Sequence, residues 1–399
     1  MGRIIDACRQ PAPLTRGPAQ HFFGYYDRCP WDAADRLVLA GGTDLSDERM
    51  PGPDDVLQLA AIDTAHDNRP TWFDQTTAWC WQQGCMLQWL GPDCDRQVVY
   101  NVRTDAGYRA IVRDLPTGHK RQLDRAVYLL SPSGRLATAL SFERLNNLRP
   151  GYGYAGIDDP FADDAHPTRD GLWIVDVESG NAELVFSIDQ ARRLEPTDTM
   201  AGGRHWFNHT QFNPAGTRIV MLHRWENPDA RGLTTRCVTL NPDGSDPHVL
   251  FREGYFSHYD WFDNDHLVAW CARPDGSGNG YTRFTDRADA GATEPLAHGA
   301  FEHDGHLTFS PDRRWMLTDY SYPDPQQLFL YRLADDARLD LAELPRTDPS
   351  QLALRCDLHP RFNRAGDRIC IDATFEGRRQ MYTLDVRDLV GGAHVPALR

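Results

Sequence analysis

Apolar residues along this chain come in short runs, and no stretch sustains the 3.6-residue spacing of a long amphipathic helix. The runs are rich in Val, Ile, Leu, Tyr and Trp, as in WLGPDCDRQVVY, FNPAGTRIVML and FSPDRRWMLTDY, and they break at Pro, Gly, Asn and Asp. This pattern predicts strands joined by tight turns.

One unit recurs: an aromatic residue or Leu, a polar Pro/Gly/Asp turn, then a β-rich run. It starts at Trp31, Trp89, Leu130, Phe212, Trp261, Phe309 and Phe362. A further strand-like run follows most instances, among them AIVRDLPTG, LWIVDVESG, QLFLYRLADD and QMYTLDVRD. Most anchors lie 41–58 residues apart, enough for four strands and their loops. Radial repetition of such sheets gives an all-β, seven-bladed β-propeller, expected as a single domain over residues 1–399. The step from Leu130 to Phe212 is 82 residues. It predicts an insertion at about 143–203 between blades three and four, placed where a rigid scaffold carries function.

The repeat also aligns chemistry. Three residues before the anchor stand Arg28, Met86 and Val127 in blades one to three, then His209, His258, His306 and His359 in blades four to seven. With 15 histidines in 399 residues, four consecutive blades are not expected to share one by chance. Equivalent positions of successive blades are related by rotation about the axis, so these imidazoles should form an arc around the channel mouth. Imidazoles at one height suit a divalent metal, Mn or Zn, and one left unligated would serve as a general base. The alignment by itself leaves open which of the four would stay unligated. His223 and His303 are possible substitutes in the arc, and Cys271 is either a soft fourth ligand or, more simply, a core thiol. Arg149 and Arg224 are candidates for binding a carboxylate-bearing substrate.

Composition narrows the partners. Asp+Glu number 57 against Lys+Arg 42, a net charge of -15, and the only lysine is Lys120. This excludes the basic face of a nucleic-acid binder but leaves room for a local arginine cluster facing an anionic oligosaccharide. No run approaches the ~18 apolar residues of a membrane span. The first twenty residues lack the apolar core of a signal peptide, so a cytoplasmic setting is expected, with the nine cysteines reduced and mostly buried.

The segments HFFGYYDRCPW, RPGYGYA, HWFNHTQFNPAGTRIVMLHRW, FSHYDW, DGHLTFSPDRRWMLTDY and RCDLHPRFNRAGDRICID together resemble the oligogalacturonate-lyase-like propellers, from about His21 to Val386. The ulvan lyases look like relatives. The resemblance implies a lyase that cleaves uronate-containing saccharides by β-elimination. It implies a proton abstractor at His209 and manganese ligands at His258 and His359. Leu354 and Asp357 stand where that family has a further Gln and His ligand. By the same likeness Arg204, just before the blade-four histidine, and Tyr152 or Tyr154 match the arginine and tyrosine that serve the ulvan lyases, the tyrosine by residue type alone. The expected chemistry therefore has a metal held by His258, His306 and His359 neutralising the uronate carboxylate with help from Arg204, His209 taking the proton, and Tyr152 or Tyr154 protonating the leaving group. Two other classes share the scaffold: a glycoside hydrolase, which would need paired carboxylates such as Asp27 and Asp357, and a non-catalytic propeller that binds sugars or proteins.

Overall fold

The computed structural model describes residues 3–227, 232–287, 293–320, 322, 324–347 and 351–391. The strands make seven sheets in chain order, the blades of a β-propeller. Each predicted anchor sits on or beside the innermost strand of its blade and pairs across the first turn. The pairs are Trp31 with Val38, Trp89 with Val98, Leu130 with Ala137, Phe212 with Ile219, Trp261 with Leu267, Phe309 with Met316 and Phe362 with Ile369. No anchor is more than 9% exposed. Each fills the wedge between neighbouring blades and contributes about 1.5–3 kcal/mol by leaving water.

The last blade is closed by the start of the chain. Ala12–Pro13 pairs antiparallel with Gln380–Asp385 as its outermost strand. Ile4–Asp6 adds a fifth, parallel strand to the sixth blade. The two termini are thus tied by backbone hydrogen bonds, and this latch holds the ring shut.

The expected insertion at 143–203 is not one loop. Its middle returns to the third blade as strands Gly171–Asp176 and Ala182–Ser187. Two excursions remain. The first, between Ala139 and Gly171, carries helix α1 (Phe142–Leu148). The second follows Ser187, which caps helix α2 (Ile188–Arg193), and leads from the outermost strand of that blade to the innermost strand of the next. Buried Arg144 of α1 pins the first excursion. Its guanidinium donates to the carbonyls of His205, Phe161, Asp164 and Ala165 and to Asp159 Oδ2. A buried cation with every donor answered is strongly held. This helps place Arg149 and Tyr152 beside the His209 ring. No helix among the described residues is long and apolar enough to cross a membrane.

Candidate active site

His209 and His258 lie on innermost strands, His205–Phe212 and Phe256–Trp261, whose pairing is interrupted where they occur. Asn208 faces Leu222 and Gln211 faces Val220, so His209 and Thr210 together oppose one residue. Phe256 faces Cys271 and Tyr259 faces Ala269, which leaves Ser257 and His258 in the same position one blade on. Such bulges re-aim a side chain out of the alternation of a regular strand. His209 and His359 also have left-handed backbones, φ +49° and +43°, as does Met86 in the equivalent position of blade two, φ +58°. Strain of this kind persists where surrounding structure enforces it, often at functional sites.

The arc forms. The rings of His258 and His306 are 3.9 Å apart between centroids, and those of His306 and His359 are 4.4 Å apart. Tyr25 sits at the centre, stacked on His209 at 4.7 Å and edge-on to His359 at 4.8 Å. Gly24 makes this possible: its φ is +124°, and a Cβ there would come within 2.7 Å of the Gln83 backbone. Tyr26 follows, its hydroxyl bonded to both the N–H and the carbonyl of Tyr259 at 3.0 Å.

Each histidine is oriented by a neighbour. The Tyr128 hydroxyl meets His209 Nδ1 at 3.0 Å, with the rings nearly perpendicular, and the Gln83 amide reaches the same hydroxyl at 2.5 Å. The Tyr25 hydroxyl is 3.4 Å from His209 Nε2, but those two rings are within 7° of parallel. That is stacking rather than an in-plane hydrogen bond, so in the tautomer whose Nδ1–H donates to the Tyr128 hydroxyl the Nε2 lone pair stays available. His258 Nδ1 faces Asp304 at 2.9 Å, and Tyr255 donates to the other oxygen of that carboxylate at 2.8 Å. His306 Nδ1 faces Asp319 at 3.0 Å.

The ligand atoms that converge most closely belong to His306, Asp357 and His359, all within 4.8 Å of one another and all buried. His306 Nε2, His359 Nε2 and Asp357 Oδ1 have no hydrogen-bond partner. Three buried, unsatisfied donor atoms pointing together fit a divalent cation, and two imidazoles with one carboxylate suit Mn or Zn. His258 is not one of the three. It lies beside His306 with its Nδ1 held by Asp304, as that of His306 is by Asp319, and Asp357 completes the trio.

Electrostatics separate the imidazoles. Burial, reinforced by Arg224, the neighbouring histidines and Arg149, pushes His209 far below the ordinary histidine value. Burial and the nearby His306, Arg361 and Arg355 do the same to His359. His258 is also lowered, by burial working against Asp304. His306 is raised: burial lowers it, but the carboxylates of Asp319, Asp357 and Asp304 together outweigh burial. Asp357 is buried, yet Arg355 and the adjacent histidines hold it below the usual carboxylate range. Arg355 Nε donates to Asp357 at 2.6 Å, and its other arm reaches the Tyr152 hydroxyl at 3.0 Å.

The remaining candidates divide. Tyr152 is at the site, 5.3 Å from the His209 ring and edge-on to it, with the Arg149 guanidinium 5.0 Å over its face. Arg224 is buried, donates to Asn208 and Thr235, and is pushed down to about 10 by burial and the nearby Arg149. Tyr154 is not at the site. It stacks on Phe142 at 4.2 Å and its hydroxyl accepts from Asn101, inside the blade-three core. Arg204 is not there either: it is half-exposed and gripped at both ends by Glu226, at 2.6 and 2.8 Å. It lies five positions before His209, roughly 16 Å of extended strand. Cys271 is a core thiol of blades four and five, and His303 packs on Tyr320. The residues that sequence reasoning missed as site members are Tyr25, Tyr128, Gln83, Arg355 and the orienting Asp304 and Asp319. The HFFGYYD, DGHLTFSPDRRWMLTDY and RCDLHP segments carried a signal for Tyr25, for Asp304 and Asp319, and for Arg355, while Tyr128 and Gln83 had none.

Comparison of the sequence with family models and with curated proteins gives no match. Among solved structures, an oligogalacturonate lyase from Vibrio parahaemolyticus superposes with a TM-score of 0.65 at 15% identity, over 96% of this chain and 95% of that one. The fold is that of the oligogalacturonate lyases. A second oligogalacturonate lyase, solved in complex with manganese, gives 0.63 at 15% identity, over 97% and 98% of the two chains. The β-propeller domain of the Trilobed protease from Pyrococcus furiosus gives 0.50 at 11% identity, over 90% and 95%. Blades of this kind serve lyases and proteases alike, so the chemistry has to be argued from side chains.

His205 and His223, one strand start away from the arc, form a separate buried chain. Arg236 Nε donates to His223 Nδ1 at 3.0 Å, His223 Nε2 lies 2.9 Å from His205 Nδ1, and His205 Nε2 lies 3.2 Å from the Met200 carbonyl. Arg236 is a fixed donor, so both imidazoles must be neutral with the proton on Nε2. The chain ties the second excursion to blade four. Burial and the adjacent Arg236 hold His223 far below its ordinary value, and burial, opposed by the Met200 carbonyl and aided by His166, Arg192 and Arg236, lowers His205 to about 4. Unfolded histidine takes its proton near 6.5, so stability is full above that pH and falls as pH drops toward 4. Each histidine contributes up to about 1.4 kcal/mol per pH unit. Urea unfolding of His223→Gln between pH 7 and 5 should show a shallower pH dependence by about that amount. An unchanged slope would refute it.

Proposed function

We propose that the protein is a lyase that cleaves a uronate-containing oligo- or polysaccharide by metal-assisted β-elimination. The observation that carries this reading is the juxtaposition, around Tyr25, of a neutral, buried, tyrosine-oriented imidazole and a trio of unsatisfied cation-binding atoms. The propeller neighbours named as oligogalacturonate lyases support it.

In the elimination the C5–H bond of the uronate breaks, its electron pair becomes the C4–C5 double bond, and the C4–O bond to the leaving sugar breaks. His209 Nε2 takes the C5 proton. Tyr128 fixes the ring through Nδ1, so the base needs no reorientation at the moment of transfer. A cation bound by His306, Asp357 and His359, when present, would act as a Lewis acid toward the uronate carboxylate. Arg149 and Arg224 supply positive charge near His209 and bind the same anion. Tyr152 gives its proton to the departing oxygen, and the Arg355 hydrogen bond stabilises the phenolate left behind.

The test is a screen of uronate polymers for the conjugated, unsaturated product. No such product from any of them, with the metal supplied, would overturn the reading. Within an active pair, Tyr152→Phe should lower kcat by about 10²-fold or more with little change in KM. Tyr154→Phe should leave kcat within about threefold of the parent, since its hydroxyl serves only the core.

A further inference from the structure

A second chamber lies in the same axial channel, two residues further along each strand than the imidazoles. Gln211, Asp260, Thr308 and Arg361 line it where His209, His258, His306 and His359 line the arc, and Tyr26 stands between the two. Its volume is about 280 Å³, at the small end of ligand pockets.

Its walls concentrate unsatisfied polar atoms. Arg28 Nε, Arg361 Nη1, Gln211 Oε1 and Thr308 Oγ1 are buried without a hydrogen-bond partner. Arg28 is 5% exposed and Arg361 1%. Asp27 Oδ1 has no hydrogen bond and only an ion-pair contact with Arg28 at 3.1 Å. Buried polar groups in folded proteins are nearly all answered, so such a cluster marks a place that receives polar atoms from outside. Neither the imidazole arc nor the proposed elimination uses any of these groups.

The charges define what fits. Arg361 is paired with Asp372 at 2.7 Å, Arg28 with Asp27 at 3.1 Å, and Asp260 faces Arg313 at 3.8 Å. Arg364 Nε meets the Trp31 carbonyl rather than a carboxylate, which leaves one positive charge in excess. Guanidinium donors beside an amide oxygen, a hydroxyl and a carboxylate match one anionic group plus several hydroxyls.

We propose that this chamber is a second ligand site, for a hydroxylated monocarboxylate about the size of one sugar ring. The site stands whether or not the lyase reading holds. A single uronate and a sugar acid of other origin share this chemistry, so the probes are glucuronate, galacturonate and gluconate, with glucose and acetate as controls lacking the carboxylate or the hydroxyls.

Binding is measured by calorimetry on the full chain, and the position by soaking crystals with glucuronate. The expected result is a sugar acid in the chamber, bound at least one of the three probes more tightly than either control. Thr308→Val and Gln211→Leu should each weaken it about threefold to tenfold, the effect of losing one hydrogen bond, while His209→Asn leaves it unchanged. Ordered water alone in the chamber at saturating glucuronate would overturn the proposal. So would an affinity that ignores Thr308→Val and Gln211→Leu but falls with His209→Asn, because that assigns binding to the imidazole arc.

Discussion

His209→Asn is expected to lower kcat by about 10²- to 10⁴-fold, the usual contribution of a positioned general base. Asparagine is the right probe because it tolerates the left-handed backbone found here, φ +49°. The melting temperature should therefore move little, and a loss of activity will report chemistry rather than unfolding. Tyr128→Phe should fall on the same axis. It keeps the ring packed but removes the hydroxyl that holds Nδ1, so kcat should drop while KM stays near its parent value. Full activity in His209→Asn, on a substrate the parent cleaves, would remove the base from the mechanism.

The second large effect concerns the cation. Elemental analysis of the purified protein should find about one divalent ion per chain, and a chelator should lower the stability. A ligand at 100 times its dissociation constant stabilises the folded state by about 2.7 kcal/mol. Asp357→Ala should abolish both the bound ion and the chelator's effect, because it deletes one of three converging atoms and frees Arg355 to intrude. Asp319→Ala should weaken binding about 10- to 100-fold, as loss of a group that orients a ligating imidazole usually does. His258→Ala should keep the ion, since its ring lies beside the trio and not within it. An ion retained by Asp357→Ala and lost from His258→Ala would restore the three-histidine set expected from the sequence.

The alignment was informative because a propeller converts sequence repetition into rotation. Seven anchors, seven turns and four histidines in one column required only the regularity of the blades, and all seven anchors pair across their turns in the structure. Arg149, Arg224 and Tyr152 reach the same end of the channel as the arc. Arg204 and Tyr154 do not, for opposite reasons. Arg204 precedes its strand and finds Glu226 across the hairpin, a pairing the sequence spacing hides. Tyr154 lies two residues from Tyr152, but the first excursion turns between them and Phe142 captures its ring. The YGY motif contains no mark of which tyrosine faces inward. The excursion at 143–203 was legible as extra length, not as two separate pieces flanking strands of the third blade.

The sequence by itself determined the number of blades, the innermost strand of each, and the column from which the imidazoles come, because hydrophobic periodicity and turn chemistry are local and repeat with the fold. Only the tertiary structure decided which atoms meet. The bulges that turn His209 and His258 depend on how each innermost strand registers with its neighbour, the glycine that admits Tyr25 to the axis on its close approach to the Gln83 backbone, and the aim of Asp357 on an Arg355 that also reaches Tyr152 in a distant part of the chain. A shift of one residue in a strand reverses the face a side chain presents, and no local pattern encodes where that shift falls.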